Sequence, residues 1–375
     1  MLSTLRYRLR GAKGTEVVVE GDRLVDPDGS ADFTIDLGPG ELRGGLINAH
    51  DHLHRNHYPR LGAPPYADSY AWGRDIHARD SASIARARSV DRRDALLFGA
   101  LKNLLGGVTT VVHHDAWEPA FDSGFPLRVA RVRTVHSLGT EPERAANPPG
   151  DPHDPICIHL AEGTTPAIAA EVREADRLGL LNDRLVAVHA IGVDLDGADL
   201  MARLGVAVAW CPTSNAYLFG RTAPRELLAR VDVMIGSDSL LTGAGTILDE
   251  LRYARATGPL DDRRLLDGVG GLAASRFRLP FPVLDPGAPA DLALFARSPL
   301  EATSEDVGLV VVAGRPRLAD ERFAALFEFL ALPFERIQVG CTTKLVSAPL
   351  GSVAERILAD WPEARRVFQT APDGA

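Results

Sequence analysis

"GGLINAHDHLHRNHYP", residues 44–59, sets four of the chain's eleven histidines into eight positions. The pair Leu46–Ile47 just before them is apolar and β-prone. A strand turns successive side chains to opposite faces, so the stretch predicts His50 and His52 on one face and Asp51 on the other. Two imidazoles side by side can hold a divalent metal. A polar loop rich in histidine would carry the same letters, so the reading depends on what the rest of the chain brings beside them.

Outward from residue 44, β-type runs alternate with helical patterns. "GLINAH" is followed by "VDRRDALLFGALKNLLGG", then "VTTVVHH", "LRVARVRTVHSLG" and "PICIHLAEG". "TPAIAAEVREADRLGLL", "RLVAVHAIGV", "DGADLMARLG", "VAVAWCP", "PRELLARV" and "VDVMIGSD" continue the alternation. Strands and helices in turn over this length predict parallel βαβ units. Six or seven strands fall between residues 44 and 238, which suits a (β/α)8-type TIM barrel. His50 and His52, His113 and His114, His159, His189 and Asp238 each stand at the C-terminal end of a β-type run. In a parallel barrel those ends ring one mouth, where catalysis is found.

The two ends of the chain read differently. "TEVVVEGDRLV" and "DFTIDLG" are β-rich with Gly and Asp-Pro punctuation, and so are "LDPGAPADLALFA" and "DVGLVVVAGRPRL". The expected organisation is a small β-sandwich built from residues 1–43 and 281–320, a barrel over 44–280 and a C-terminal helical extension over 321–375. The extension rests on the patterns "ADERFAALFEFLAL" and "SVAERILADWPEARRVF".

Bulk properties exclude some partners. A formal charge of -9 and a pI near 5.7 argue against nucleic acid and against an anionic membrane surface. Three well-separated cysteines, Cys157, Cys211 and Cys341, imply no disulfide framework. "MLSTLRYRLRG" lacks the apolar core of a secretory signal, and no run of about 18 apolar residues suggests a span. The expectation is a cytoplasmic protein acting on a small molecule, either as a monomer or as a homo-oligomer.

The chain resembles the amidohydrolase superfamily, in the branch of aminohydrolases and chlorohydrolases that deaminate or dechlorinate nitrogen heterocycles. "GLINAHDHL" is similar to that family's first-strand signature, "IHLAEG" to its fifth-strand motif and "VAVHAIGVD" to its sixth. "CPTSNAYLFG" matches its Pro-Thr-Ser-Asn segment, "VMIGSDS" its eighth-strand aspartate and "DPGAPADLALF" the turn after the barrel. The resemblance covers about residues 15 to 315. It implies one divalent metal, zinc ahead of iron, held by His50, His52, His159 and Asp238. His189 is a further imidazole, ligating or hydrogen-bonding the attacking water. Imidazole and carboxylate ligands suit either ion on chemical grounds. Asp238 is placed to take the water's proton. Glu162, three residues beyond His159, is placed to give a proton to a ring nitrogen and later to departing ammonia. The bland reading of Glu162 is an acidic residue in the first turn of a helix starting near Pro166.

The resemblance also has departures. Family members with two metals bridge them with a carboxylated lysine on the fourth strand. No lysine lies between Lys102 and Lys344, so a mononuclear site is expected. The family's usual proline before Gly-Leu-Ile is Gly44 here. The 107 positions from His52 to His159 look one βα unit tight, with "LRVARVRTVHSLG" as the third strand and the fourth shortened or missing in "TEPERAANPPGDPHDP".

For the substrate, Tyr58, Tyr66, Tyr70 and Trp72 follow the His-rich stretch. Aromatic faces there either sandwich a flat ring or pack as a lid. Tyr58, Trp72, His113 and Asn215 are the expected substrate contacts. The expected activity is deamination of a small heterocyclic amine. Hydrolysis of a cyclic or linear amide, or a barrel that binds metal without catalysis, are the alternatives.

Overall fold

Each apolar run that ends in a histidine or aspartate becomes a strand. The computed structural model describes residues 5–369. It forms Leu46–Asp51 (β1), Val108–His113 (β2), Arg128–Val129 (β3), Arg133–Ser137 (β4), Ile156–Leu160 (β5), Leu185–His189 (β6), Ala207–Trp210 (β7) and Val233–Ile235 (β8). β1 to β3 make one parallel ladder and β4 to β8 another. Every residue of β1, β2, β5, β6, β7 and β8 is buried. Such continuous apolar strands are what burial on both faces demands.

The tight interval before His159 has a simple cause. Residues 130–132 join β3 to β4 without a turn or bend. Ala130 N donates to Val111 O of β2, and Arg133 N donates to Pro155 O beside β5, each at 2.9 Å. In an extended chain, N–H groups three residues apart face opposite edges. One run, Arg128–Ser137, therefore pairs with β2 on one edge and β5 on the other. "TEPERAANPPGDPHDP" contributes the short helix Pro142–Ala146. At the other margin, Ser237 N and Asp238 N donate to His50 O at 3.1 and 3.0 Å. Gly236 permits this approach, since a Cβ there would lie 2.6 Å from the His50 Cβ. Gly44 has a comparable reason: a Cβ in place of its hydrogen would overlap the Pro282 carbonyl.

The chain ends come together, with more strand than expected. Arg6–Gly11, Glu16–Glu20, Arg23–Val25 and Phe33–Gly38 form a four-stranded sheet. Glu41–Gly44 joins Leu292–Phe295 in a six-stranded sheet. Tyr7, Leu9, Leu24 and Leu42 share one apolar core with Leu292, Leu309 and Phe327. Residues 321–369 do not form the purely helical extension expected over 321–375. Helices Ala324–Phe329 and Leu350–Asp360 flank a hairpin of Phe334–Val339 with Thr342–Ser347, which extends the six-stranded sheet. Residues 1–4, which open the stretch examined for a secretory signal, and residues 370–375 of that extension lie outside the described residues. No described helix is long and apolar enough to cross a membrane.

Candidate metal centre and catalytic site

The period of two in "HDH" does what the sequence predicts. His50 Nε2 and His52 Nε2 lie 3.8 and 4.0 Å from Asp238 Oδ1, while Asp51 turns away to Asn103. The His159 and His189 rings lie 5.0 and 5.5 Å from the His50 ring. One ligand atom each from His50, His159 and His189 falls within 4.8 Å of the others, and so does one each from His50, His52 and Asp238. All five proposed ligands thus converge, from the ends of β1, β5, β6 and β8.

The partners of these rings decide which nitrogen is free. His52 Nδ1 donates to Asp115 Oδ2 at 2.6 Å, His159 Nδ1 to His136 O at 2.6 Å and His189 Nδ1 to Asn215 Oδ1 at 2.8 Å. A proton on each Nδ1 leaves the Nε2 lone pair facing the cluster, the tautomer a metal requires. His50 is 0% exposed, and neither of its ring nitrogens has a hydrogen-bond partner among the described residues. A buried polar group without a partner is costly, and a coordinated ion removes that cost. Burial holds His50 neutral, well below the ordinary imidazole range, with the neighbouring histidines adding to the effect.

Asp238 is prepared as an anion. Burial alone would raise its carboxyl, but His52, His189 and the hydroxyls of Ser214 and Thr242 bring it down to about 2. Both hydroxyls donate to Oδ2 at 2.8 Å, leaving Oδ1 toward His50 and His52. A set of imidazole nitrogens and one carboxylate fits Zn or Fe(II). Asp238, His189 and Ala161 hold left-handed backbone at φ +51°, +69° and +53°. Such conformations cost about 1–3 kcal/mol each in non-glycine residues and cluster at functional sites.

Glu162 sits beside the cluster, its Oε1 3.6 Å from His189 Nε2. It is not in a first helical turn: the helix is Pro166–Ala169, capped by Thr165, with no acidic residue in its first turn. Burial raises the Glu162 carboxyl above its ordinary range, against the pull of His189. Its loop is clasped from outside. Ser69 N donates to Glu162 O at 3.0 Å, and Glu171 joins Ala161 N (2.9 Å) to the Tyr70 hydroxyl (2.7 Å).

A cavity of about 830 Å³ opens above these groups. His52, His159, His189, Glu162 and Asp238 line it, and so do Tyr58 and Trp72. Two expected substrate contacts lie elsewhere. His113 is not among the lining residues: it packs edge-on to Phe121, with its Nδ1 accepting from Leu53 N at 3.3 Å. Asn215 is fully buried and reaches the site only by orienting His189. His114, adjacent to His113, bonds Val135 O at 3.0 Å, and its ring lies tilted against His159 with centroids 4.2 Å apart. Sequence reasoning missed Asp115. It directly follows the two histidines that end β2, and a carboxylate behind a ligating histidine was the signal to seek.

No family model matches the chain. It is 33% identical over 215 residues to a 5-methylthioadenosine/S-adenosylhomocysteine deaminase of Nitratidesulfovibrio vulgaris, covering 48% of each chain. It is 37% identical over 116 residues to an aminodeoxyfutalosine deaminase of Deinococcus radiodurans, covering 29% of this chain and 28% of that one. The chain spans about half the length, or less, of these curated relatives. Its fold is shared with a zinc-bound adenosine deaminase from Xanthomonas campestris, with TM-score 0.62 and 18% identity over 95% of this chain and 99% of that one. It is also shared with a zinc complex of atrazine chlorohydrolase from Arthrobacter aurescens, with TM-score 0.61 and 20% identity over 88% and 98%.

Proposed function

We propose, from the resemblance to the amidohydrolase superfamily and the partial likeness to these deaminases, that the chain is a metal-dependent hydrolase that deaminates a small heterocyclic amine. We infer that its parallel strands close as a shortened barrel under a β-sandwich formed by the chain ends. The observation that supports the functional reading is two triads of possible ligands, His50 with His159 and His189 and His50 with His52 and Asp238, beside Glu162 and below a cavity.

His50, His52, His159 and Asp238 would hold one divalent ion, zinc ahead of iron. When bound, the ion supplies Lewis acidity and makes water a competent nucleophile near neutral pH. The protein's own groups do the rest. Asp238, ionised and aimed by Ser214 and Thr242, takes a proton from the attacking water. His189, fixed by Asn215, ligates the ion or hydrogen-bonds that water. Glu162, whose carboxyl burial raises, gives a proton to the ring nitrogen, regains one from the added hydroxyl as the carbonyl forms and passes it to the leaving amine, and the proton on Asp238 then restores Glu162. The sum replaces the ring amino group by oxygen and releases ammonia.

Tyr58 and Trp72 offer flat apolar surface for the ring. The cavity exceeds what a bare heterocycle fills, and Arg55, Arg74, Arg88 and Arg92 line it too. A screen should therefore pair each amine with a form carrying a carboxylate or phosphate. The expected result is release of one ammonia per ring converted, with at least one aminopurine-type compound among the substrates. Opening of cyclic amides without ammonia release from any amine would contradict the proposal.

A further inference from the structure

The chain uses arginine 38 times and lysine three times, yet the side chains of Lys102 and Lys344 are fully buried. Lys344 serves the distant β-domain, where Glu305 O, Val307 O and Asp320 hold it. Lys102 stands directly behind the metal centre. A compact ammonium with three rotatable donors fits a closed space that a planar guanidinium does not.

The helix Arg92–Leu105 brings Lys102 Nζ to Asp51 Oδ2 (3.2 Å), to Ser237 Oγ (2.9 Å) and to the main-chain carbonyl of Asp238. All three ammonium protons are thereby used. Asp51 is the residue between His50 and His52, facing away from the metal, and it also accepts from Asn103 (2.7 Å) and Asn56 (3.0 Å). Asn48 closes the ring, donating to Ser237 Oγ at 2.7 Å and accepting from Ser237 N at 3.0 Å. One cation thus ties the back of the strand that carries His50 and His52 to the backbone that carries Asp238. That backbone has a left-handed φ of +51°, and Lys102 grips its carbonyl.

We infer that Lys102 is a positioning residue for the metal centre, setting the Asp238 carboxylate against His50 and His52 through the Asp238 carbonyl and Asp51. The inference rests on the metal-centre reading above. A buried ion pair need not add net stability, so stability alone does not account for a lysine whose side-chain contacts all fall on ligand-bearing segments.

Lys102→Met alone would leave Asp51 as a buried, unpaired carboxylate, which is strongly destabilising. The test therefore uses Lys102→Met combined with Asp51→Asn, which removes both charges. It is compared with Asp51→Asn alone, which keeps the grip of Lys102 on Asp238 but leaves its buried charge unpaired, so its metal-free midpoint is expected to fall below that of the double variant. Each full-length protein is measured for metal-free thermal midpoint, for the rise in midpoint on adding zinc and for zinc retention against a chelator. Turnover is measured on whichever amine the wild-type protein deaminates. The double variant is expected to fold, to bind zinc about 10- to 100-fold more weakly and to lose kcat with a smaller change in KM. Asp51→Asn alone is expected to hold zinc more tightly than the double variant. A lowered metal-free midpoint with wild-type zinc affinity in the double variant would overturn the inference and make the pair merely structural. A wild-type chain that binds no zinc would instead overturn the metal-centre reading, and this inference with it.

Discussion

Replacing His50 by alanine is expected to abolish turnover and empty the metal centre. His50 is the ring on which both ligand groups meet, and neither of its buried nitrogens has another partner among the described residues. Removal of a group that merely supports a ligand lowers metal affinity about 10- to 100-fold, so loss of this direct ligand should exceed that range. Asp238→Ala should do the same by a second route. It removes the one carboxylate of the set and leaves the Ser214 and Thr242 hydroxyls without their acceptor. Elemental analysis and turnover on the same preparations check both. Wild-type activity in metal-depleted Asp238→Ala protein would refute the ligand assignment.

Glu162→Gln should separate chemistry from metal binding. The amide keeps the size of the side chain, and no metal is asked of it, so metal content should match wild type. Turnover should fall about 10²- to 10⁴-fold, the range for a lost general acid or base. KM should change less, because the proton is needed mainly in the transition state. The thermal midpoint at neutral pH should hold or rise. Burial raises this carboxyl, so the ionised form costs stability in the fold, and a neutral amide does not. An unchanged kcat would remove Glu162 from the mechanism, since its position before Thr165 already removes the helix-start explanation.

The placement of the proposed ligands was legible because it obeys short-range rules, while their role was implied by the resemblance. Alternation along β1 puts His50 and His52 on one face, and the parallel arrangement puts His159, His189 and Asp238 at the same ends as these two. What was not legible acts across long separations. Asp115 is 63 residues from His52 and Asn215 is 26 from His189; no local pattern pairs them. The position of His113 was not legible for a related reason. A residue's place at a strand end does not fix which way it faces, and His113 accepts from Leu53 N and does not line the cavity. The run Arg128–Ser137 reads as one strand because it is one extended segment. That it serves two neighbours depends on both its edges, which a sequence does not display. In the C-terminal region, helical patterns on either side obscured the hairpin between Phe334 and Ser347, although Thr342–Ser347 carries β-prone residues.

The measurement that bears most directly on the account is the metal content of the purified wild-type chain, with turnover followed before and after chelation. Two ligand triads that share His50, with no lysine between Lys102 and Lys344 to bridge a second ion, lead us to expect one zinc or iron per chain. Removing it should abolish ammonia release, and adding it back should restore it. Two tightly bound metals per chain, or full activity in the metal-free protein, would contradict the account.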